Sequence, residues 1–271
     1  MSDAAADLAR RLLLDEDARA VPALYAYMHS QESNPAAAIA TLDIALWDAK
    51  AKGEGVPLWR SLGGDGRSAY LISDDHGAHA ARIKLTDDDA NDLAAIAAAH
   101  EALSRRLVEP VIMVMAPENW TADIAIARMQ EIEQHFDISY IEAPCSAEDI
   151  EGQLKVSAAV RAGVANGRSF SGRQQFTPHL KARSLDMFIL NIHEIGITGA
   201  IEMADAAFTY ELPILIAGSA GNVGVHLAGA MPYFAFAEKS VVPDWLTTSV
   251  HCDNGIAKSD QTIGNGLGLR T

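Results

Sequence analysis

Charged and amide side chains close several of the short apolar runs in this chain. Lys84 stands in RIKL, Glu142 in YIEAP, Arg168 in NGRSF and Asn191 at the end of MFILN. A lysine at a strand end can act as a base when burial or a nearby cation lowers its pKa. A carboxylate buried alone is costly, so Glu142 needs a cation beside it to keep its charge. Arg168 brings a planar fork that suits carboxylates and does not deprotonate. These residue types point to acid–base or carboxylate-binding chemistry. Glu118 reads as a loop carboxylate before a helix, and His193 and His226 read as surface or helix histidines. Cys145 and Cys252 form neither a disulfide framework nor a metal cluster. No Gly-rich dinucleotide fingerprint or P-loop is present, which argues against nucleotide-binding folds.

Elements that would position such residues are legible in the periodicity. The first 64 residues are helical in pattern. Asn34-Pro35 reads as a helix start, with Asn34 the N-cap. The run that follows places Ile39, Leu42, Leu46 and Trp47 on one stripe, and Gly53 and Gly55 end it. After residue 66, short β-branched runs alternate with helical stretches. Taking strand ends at Lys84, Met115, Glu142, Arg168, Asn191 and Ala217, the successive spacings are 31, 27, 26, 23 and 26. A strand-then-helix repeat of that length is the pattern of βα units on a parallel sheet. So many units in a row predict an α/β fold of the (β/α) TIM-barrel type. The expected organisation is a reduced helical cap over 1–64, a barrel over 65–245 and a C-terminal tail over 246–271 returning toward the cap. Only eight residues separate Ile72 from Ala81, too few for an ordinary parallel crossover. The first helix is therefore missing or the first strand lies outside the barrel, and the barrel is expected to be shortened or distorted there.

Lys and Arg number 21 and Asp and Glu 36, a net charge of −15. So acidic a chain repels phosphate backbones and anionic lipid, so neither nucleic acid nor membrane is an expected partner. No apolar run reaches membrane-spanning length, and the N-terminus does not read as a signal peptide. A reducing cytoplasm is the expected location.

The segment AIATLDIALWDAKAKGEGVPLWRSLGG (38–64) strongly resembles the enolase superfamily, on its mandelate racemase/muconate-lactonising branch. RIKL, ENWT (118–121), YIEAP, GRSF, GITGAIEMADAAF (196–208), ELPILIAGSAG (211–221) and GLGL (266–269) follow in the order that resemblance requires. It implies a barrel that abstracts the proton α to a carboxylate, as an isomerase or lyase: a racemase, cycloisomerase or sugar-acid dehydratase. It also implies magnesium held by three acids on consecutive strand ends, and association into oligomers. The three-stranded sheet that usually opens the capping domain has no counterpart here.

Carried over position by position, the resemblance makes Lys84 the candidate base and Arg82 the position of a first lysine. Glu142 is the one retained metal-ligand position; Met115 and Arg168 replace the others. A thioether is no ligand for magnesium, and a guanidinium repels it. Asn191 takes the sixth-strand position, where the family has an acid or a lysine. Ala217 or Gly218 stands where racemases have a histidine. Arg82, Arg168 and Ser219 are the candidates for binding substrate. The expectations are an enolase-like scaffold without the family's metal-dependent activity, no cofactor, and Arg168 paired to Glu142 in place of the metal's charge. The other reading left open is a metal-free carboxylate-binding or structural barrel.

Overall fold

The computed structural model describes residues 3–31, 34–75, 77–218 and 220–270. Four helices precede the sheet: α1 (Asp3–Leu12), α2 (Val21–Ser30), α3 (Ala36–Glu54) and α4 (Leu58–Ser61). Asn34 does not cap α3; its amide donates to the carbonyl of Met28, and extended Pro35 leads into the helix. Gly55 ends α3 in the left-handed region at φ 70°.

Eight parallel strands follow and close into a barrel, β8 pairing back to β1. They are β1 (Ala69–Ser73), β2 (Ala80–Lys84), β3 (Val111–Met115), β4 (Tyr140–Glu142), β5 (Gly163–Asn166), β6 (Met187–Asn191), β7 (Ile214–Ala217) and β8 (Phe234–Glu238). The helices between them are α5 (Asp89–Ser104), α6 (Ala122–Ile132), α7 (Ile150–Ala159), α8 (Arg173–Ala182) and α9 (Ile192–Phe208). Asp88, Thr121 and Asp149 start α5, α6 and α7 by accepting a backbone N–H of the first turn. Side chains alternate along each strand. Met113, Ala165, Met187, Ile189, Leu215 and Ala217 fill the lumen as one buried cluster, and their neighbours face the helices.

The first strand belongs to the barrel, so the short spacing marks a missing helix. Register explains how so short a connection works: Ile72 pairs with Ala80 and Ser73 with Ala81. β2 begins beside the point where β1 ends, so the chain need not return to the far end of the sheet. The cost is a notch in the rim, because β2 climbs on to Lys84 without β1 beside it.

After the barrel the chain forms β9 (Leu246–Thr247), β10 (Val250–Asp253), β11 (Ile256–Ser259) and β12 (Gly268–Leu269). β11 lies antiparallel on β1. The last segment reaches the cap: Leu58 N donates to Gly264 O at 2.7 Å and Asn265 N to Asp48 Oδ1 at 2.7 Å. Among the described residues no helix is long and apolar enough to cross a membrane.

His193 is exposed on α9, whereas His226 is fully buried in the 3-10 segment Ala220–Leu227. Burial pushes the His226 imidazole down to about 4, against weaker opposing contributions from the Asn265 backbone, Asp260 and Asp48. Above about pH 6.5 the ring is neutral in both folded and unfolded chains. As pH falls toward 4 the unfolded chain takes the proton first, so stability drops by about 3 kcal/mol from this group alone. Buried Asp43, raised to about 6 mainly by desolvation, works the other way and stabilises the fold as pH falls below that value. Urea unfolding of wild type and His226→Gln at pH 7 and 4.5 separates the two. The gap between the proteins is expected to change in the variant's favour at pH 4.5; a constant gap would show that His226 carries no such linkage.

Candidate functional site

At the carboxyl end of the barrel, four charged side chains from four segments close a ring. Arg82 comes from β2, Glu142 from β4, Arg168 from the turn after β5 and Glu238 from β8. Gly167 aims Arg168. Its φ is +121°, and a Cβ there would lie 2.7 Å from the backbone oxygen of Ile189, so only glycine makes this turn. Asn191 then holds the backbone: its amide nitrogen donates to Arg168 O at 3.1 Å, and its oxygen accepts from His193 N at 3.2 Å.

Arg168 Nε meets Glu142 Oε1, and its Nη2 donates to Glu142 Oε2 at 3.2 Å. Its Nη1 lies 3.3 and 3.2 Å from the two oxygens of Glu238. Arg82 Nη1 contacts Glu238 Oε1 and stands 3.9 Å from Glu142 Oε2. Gly218 N donates to Glu238 Oε2 at 3.1 Å. Burial works against the charge on Arg168, yet pairing to Glu142 and Glu238 outweighs it and raises its pKa. Burial would raise Glu238 too, but Arg168 and Arg82 prevail and lower it.

Three further contacts line the notch. Asp74 accepts from Arg82 Nε at 2.8 Å and lies 3.3 Å from Lys84 Nζ, and Asp75 pairs with Lys239 at 3.0 Å. Four cations (Arg82, Lys84, Arg168, Lys239) thus meet four carboxylates (Asp74, Asp75, Glu142, Glu238). A cleft of ≈ 400 Å³ opens there, walled by Ser73, Asp74, Asp75, Arg82, Glu238 and Lys239.

The residues singled out by sequence therefore have distinct places. Arg82, Glu142 and Arg168 come together in the ring. Lys84 sits at the rim, its side chain 60% exposed, with its ammonium on Asp74. Asn191 supports the Arg168 backbone. Met115 is the partner of Glu142 in strand register. Ser219 lies outside the described residues. Glu238 and Asp74 were not anticipated. The signal for Glu238 is the alternating FAFAE (234–238), which lies only 21 residues beyond Ala217 and so falls short of the repeat.

Comparison with known proteins decides the family. The enolase C-terminal domain-like family matches residues 67–270, and the mandelate racemase/muconate lactonizing enzyme N-terminal domain matches residues 2–63. The chain belongs to the enolase superfamily, on its mandelate racemase/muconate lactonizing branch. It is 28% identical over 231 residues to the L-talarate/galactarate dehydratase of Salmonella typhimurium, covering 77% of this chain and 56% of the relative. It is 27% identical over 253 residues to the D-galactarolactone cycloisomerase of Agrobacterium fabrum, covering 82% and 65%. Thus the chain spans less than two thirds of the length of either relative. Among solved structures it resembles a Streptomyces coelicolor racemase with bound magnesium, at TM-score 0.86 and 22% identity over 98% of this chain and 82% of that one. It also resembles the L-talarate dehydratase of Polaromonas sp. JS666 complexed with Mg and L-glucarate, at TM-score 0.85 and 22% identity over 98% and 78%.

These neighbours overturn the expectation of no cofactor: the racemase and the talarate dehydratases that the chain resembles in fold are solved with bound magnesium. The side chains of this ring do not themselves fit it. Among the described residues no three Asp, Glu, His or Cys side chains gather to hold a metal ion. Both oxygens of Glu142 already face guanidinium groups. Met115 offers only a thioether, and Arg168 adds positive charge where a hard dication needs oxygen donors.

Proposed function

We propose that this enolase-superfamily barrel binds a small hydroxy-carboxylate of the sugar-acid class at its mouth and does not abstract its α-proton by the route of its relatives. The carrying observation is the ring of Arg82, Glu142, Arg168 and Glu238. Two guanidinium groups, with planar forks suited to carboxylates, occupy the end of the barrel axis. No group in the ring is placed to take a proton from carbon, because each carboxylate is engaged by arginine. The relatives, a talarate/galactarate dehydratase and a galactarolactone cycloisomerase, supply the substrate class.

Proton NMR in D2O tests both halves. Galactarate and glucarate are expected to show protein-dependent line broadening that Arg168→Met abolishes, with no α-proton exchange over hours, whether or not magnesium is added. Washing-out of the α-proton signal would overturn the loss of proton abstraction. Sharp lines at high protein concentration would overturn the binding.

A further inference from the structure

Within the ring the two carboxylates are not equivalent. Glu142 is 2% exposed and deeply set, and both its oxygens lie against Arg168. The Glu238 side chain is 16% exposed and forms part of the wall of the ≈ 400 Å³ cleft. Glu238 also bridges. It spans Arg168 Nη1 and Arg82 Nη1 and receives the N–H of Gly218. Two guanidinium groups and a backbone amide around one carboxylate form a complete anion receptor. A free carboxylate entering from the cleft meets the Glu238 side chain in that position first.

We propose that Glu238 is an internal stand-in for the ligand: its carboxylate fills the anion receptor of Arg82, Arg168 and Gly218 N, and an incoming carboxylate binds by displacing it toward the cleft. This rests on the reading of the mouth as a carboxylate site. Its energetic logic is competition. An intramolecular carboxylate is present at high effective concentration, so it lowers the apparent affinity of any free one. Removing it exposes two positive charges with one fewer partner. The protein is then less stable but binds free carboxylates better. Displacement also has somewhere to go, since Lys239 and Ser240 line the cleft beside Glu238.

The experiment is chemical rescue. Thermal unfolding of wild type, Glu238→Ala and Glu238→Gln is followed with increasing sodium acetate, and with sodium chloride at equal ionic strength. Glu238→Ala is expected to unfold at lower temperature than wild type. Acetate is expected to restore several degrees with saturation in the millimolar range, chloride to restore far less, and wild type to respond little. Glu238→Gln keeps the side-chain shape but not the charge; its neutral amide competes less for the guanidinium groups than the carboxylate does, so it gives a weaker acetate-selective response than alanine, still above wild type, if the alanine variant does not fold. Equal responses to acetate and chloride in the folded variant would overturn the proposal.

Galactarate affinity separates this proposal from the functional reading. Affinity at least tenfold tighter in Glu238→Ala than in wild type supports the stand-in. Equal affinity in both proteins sinks the stand-in and leaves the sugar-acid reading intact. Acetate rescue with no galactarate binding to either protein keeps the receptor and removes the sugar-acid class.

Discussion

Glu142→Gln is expected to be among the most damaging single substitutions in this protein, lowering stability by about 3–5 kcal/mol. The glutamate is 2% exposed and sits against two guanidinium groups. An amide keeps its shape but cannot balance their charge. Arg168 would retain Glu238 but lose its deeper partner, and the loss follows from leaving a buried charge undercompensated. In thermal unfolding this corresponds to a fall of roughly 10 °C. The informative control is Glu142→Leu with Arg168→Met. Together they remove one negative and one positive charge, and the Arg82–Glu238 pair remains. Replacing a buried ion pair by apolar groups of similar volume is often neutral or stabilising. The double variant is therefore expected within about 2 kcal/mol of wild type, far better than Glu142→Gln alone. A double variant as unstable as the sum of its single variants would show that the ring is no coupled unit.

Asp43→Ala is the second large effect, and it acts at the seam between cap and barrel. Asp43 on α3 is fully buried. Helix α9 is broken inside by Gly196, with φ 68° and ψ −176°, so its longer half starts afresh at Ile197. Asp43 caps that second start. Its carboxylate accepts from Thr198 N at 2.8 Å and Thr198 Oγ1 at 2.5 Å, while Trp47 Nε1 donates to the same hydroxyl at 2.9 Å. Tyr25 of α2 adds a bond from its hydroxyl to Ile195 O at 2.9 Å. Alanine would leave the helix start uncapped and a cavity beside Gly196, where an added Cβ would lie 2.6 Å from Asp43 Oδ2. Loss of a cap costs about 1 kcal/mol, and unsatisfied buried donors add about 1–3 kcal/mol. A total near 3 kcal/mol is expected in urea unfolding. Because buried Asp43 is costly when charged, its deficit should be smaller at pH 8 than at pH 5. A loss under about 1 kcal/mol would mean that the Asp43 carboxylate contributes little to docking of the cap.

This seam explains why the family was legible in residues 38–64. TLDIALWDAK and GITGA lie far apart in the chain, yet Asp43 and Trp47 of the first grip Thr198 of the second. A capping aspartate, a helix-breaking glycine and a hydroxyl must all coincide for such a joint, and the motifs at 38–64 and 196–208 carry them. The barrel was legible for a similar reason. Strand and helix periodicities differ, and a repeat near 26 residues leaves few architectures.

The sequence by itself determined the family, the βα repeat and a connection after Ile72 too short for an ordinary crossover, and it placed Met115 and Arg168 at the ends of successive apolar runs. Those are local properties of residue type and spacing. Only the tertiary structure decided what Arg168 does. Charges from β2, β4, β8 and the turn after β5 meet across the barrel axis, and no periodicity records which strand ends converge or how far each climbs. Glu238 escaped because β8 follows an irregular 3-10 segment instead of a full helix, so it falls out of the repeat. The notch over β1 is a matter of register, since pairing Ile72 with Ala80 fixes where the strands end relative to one another. Lys84 reached the rim instead of the ring for the same reason: two residues beyond Arg82 on one strand face, it stands above the buried layer, where Asp74 from the shortened connection meets it.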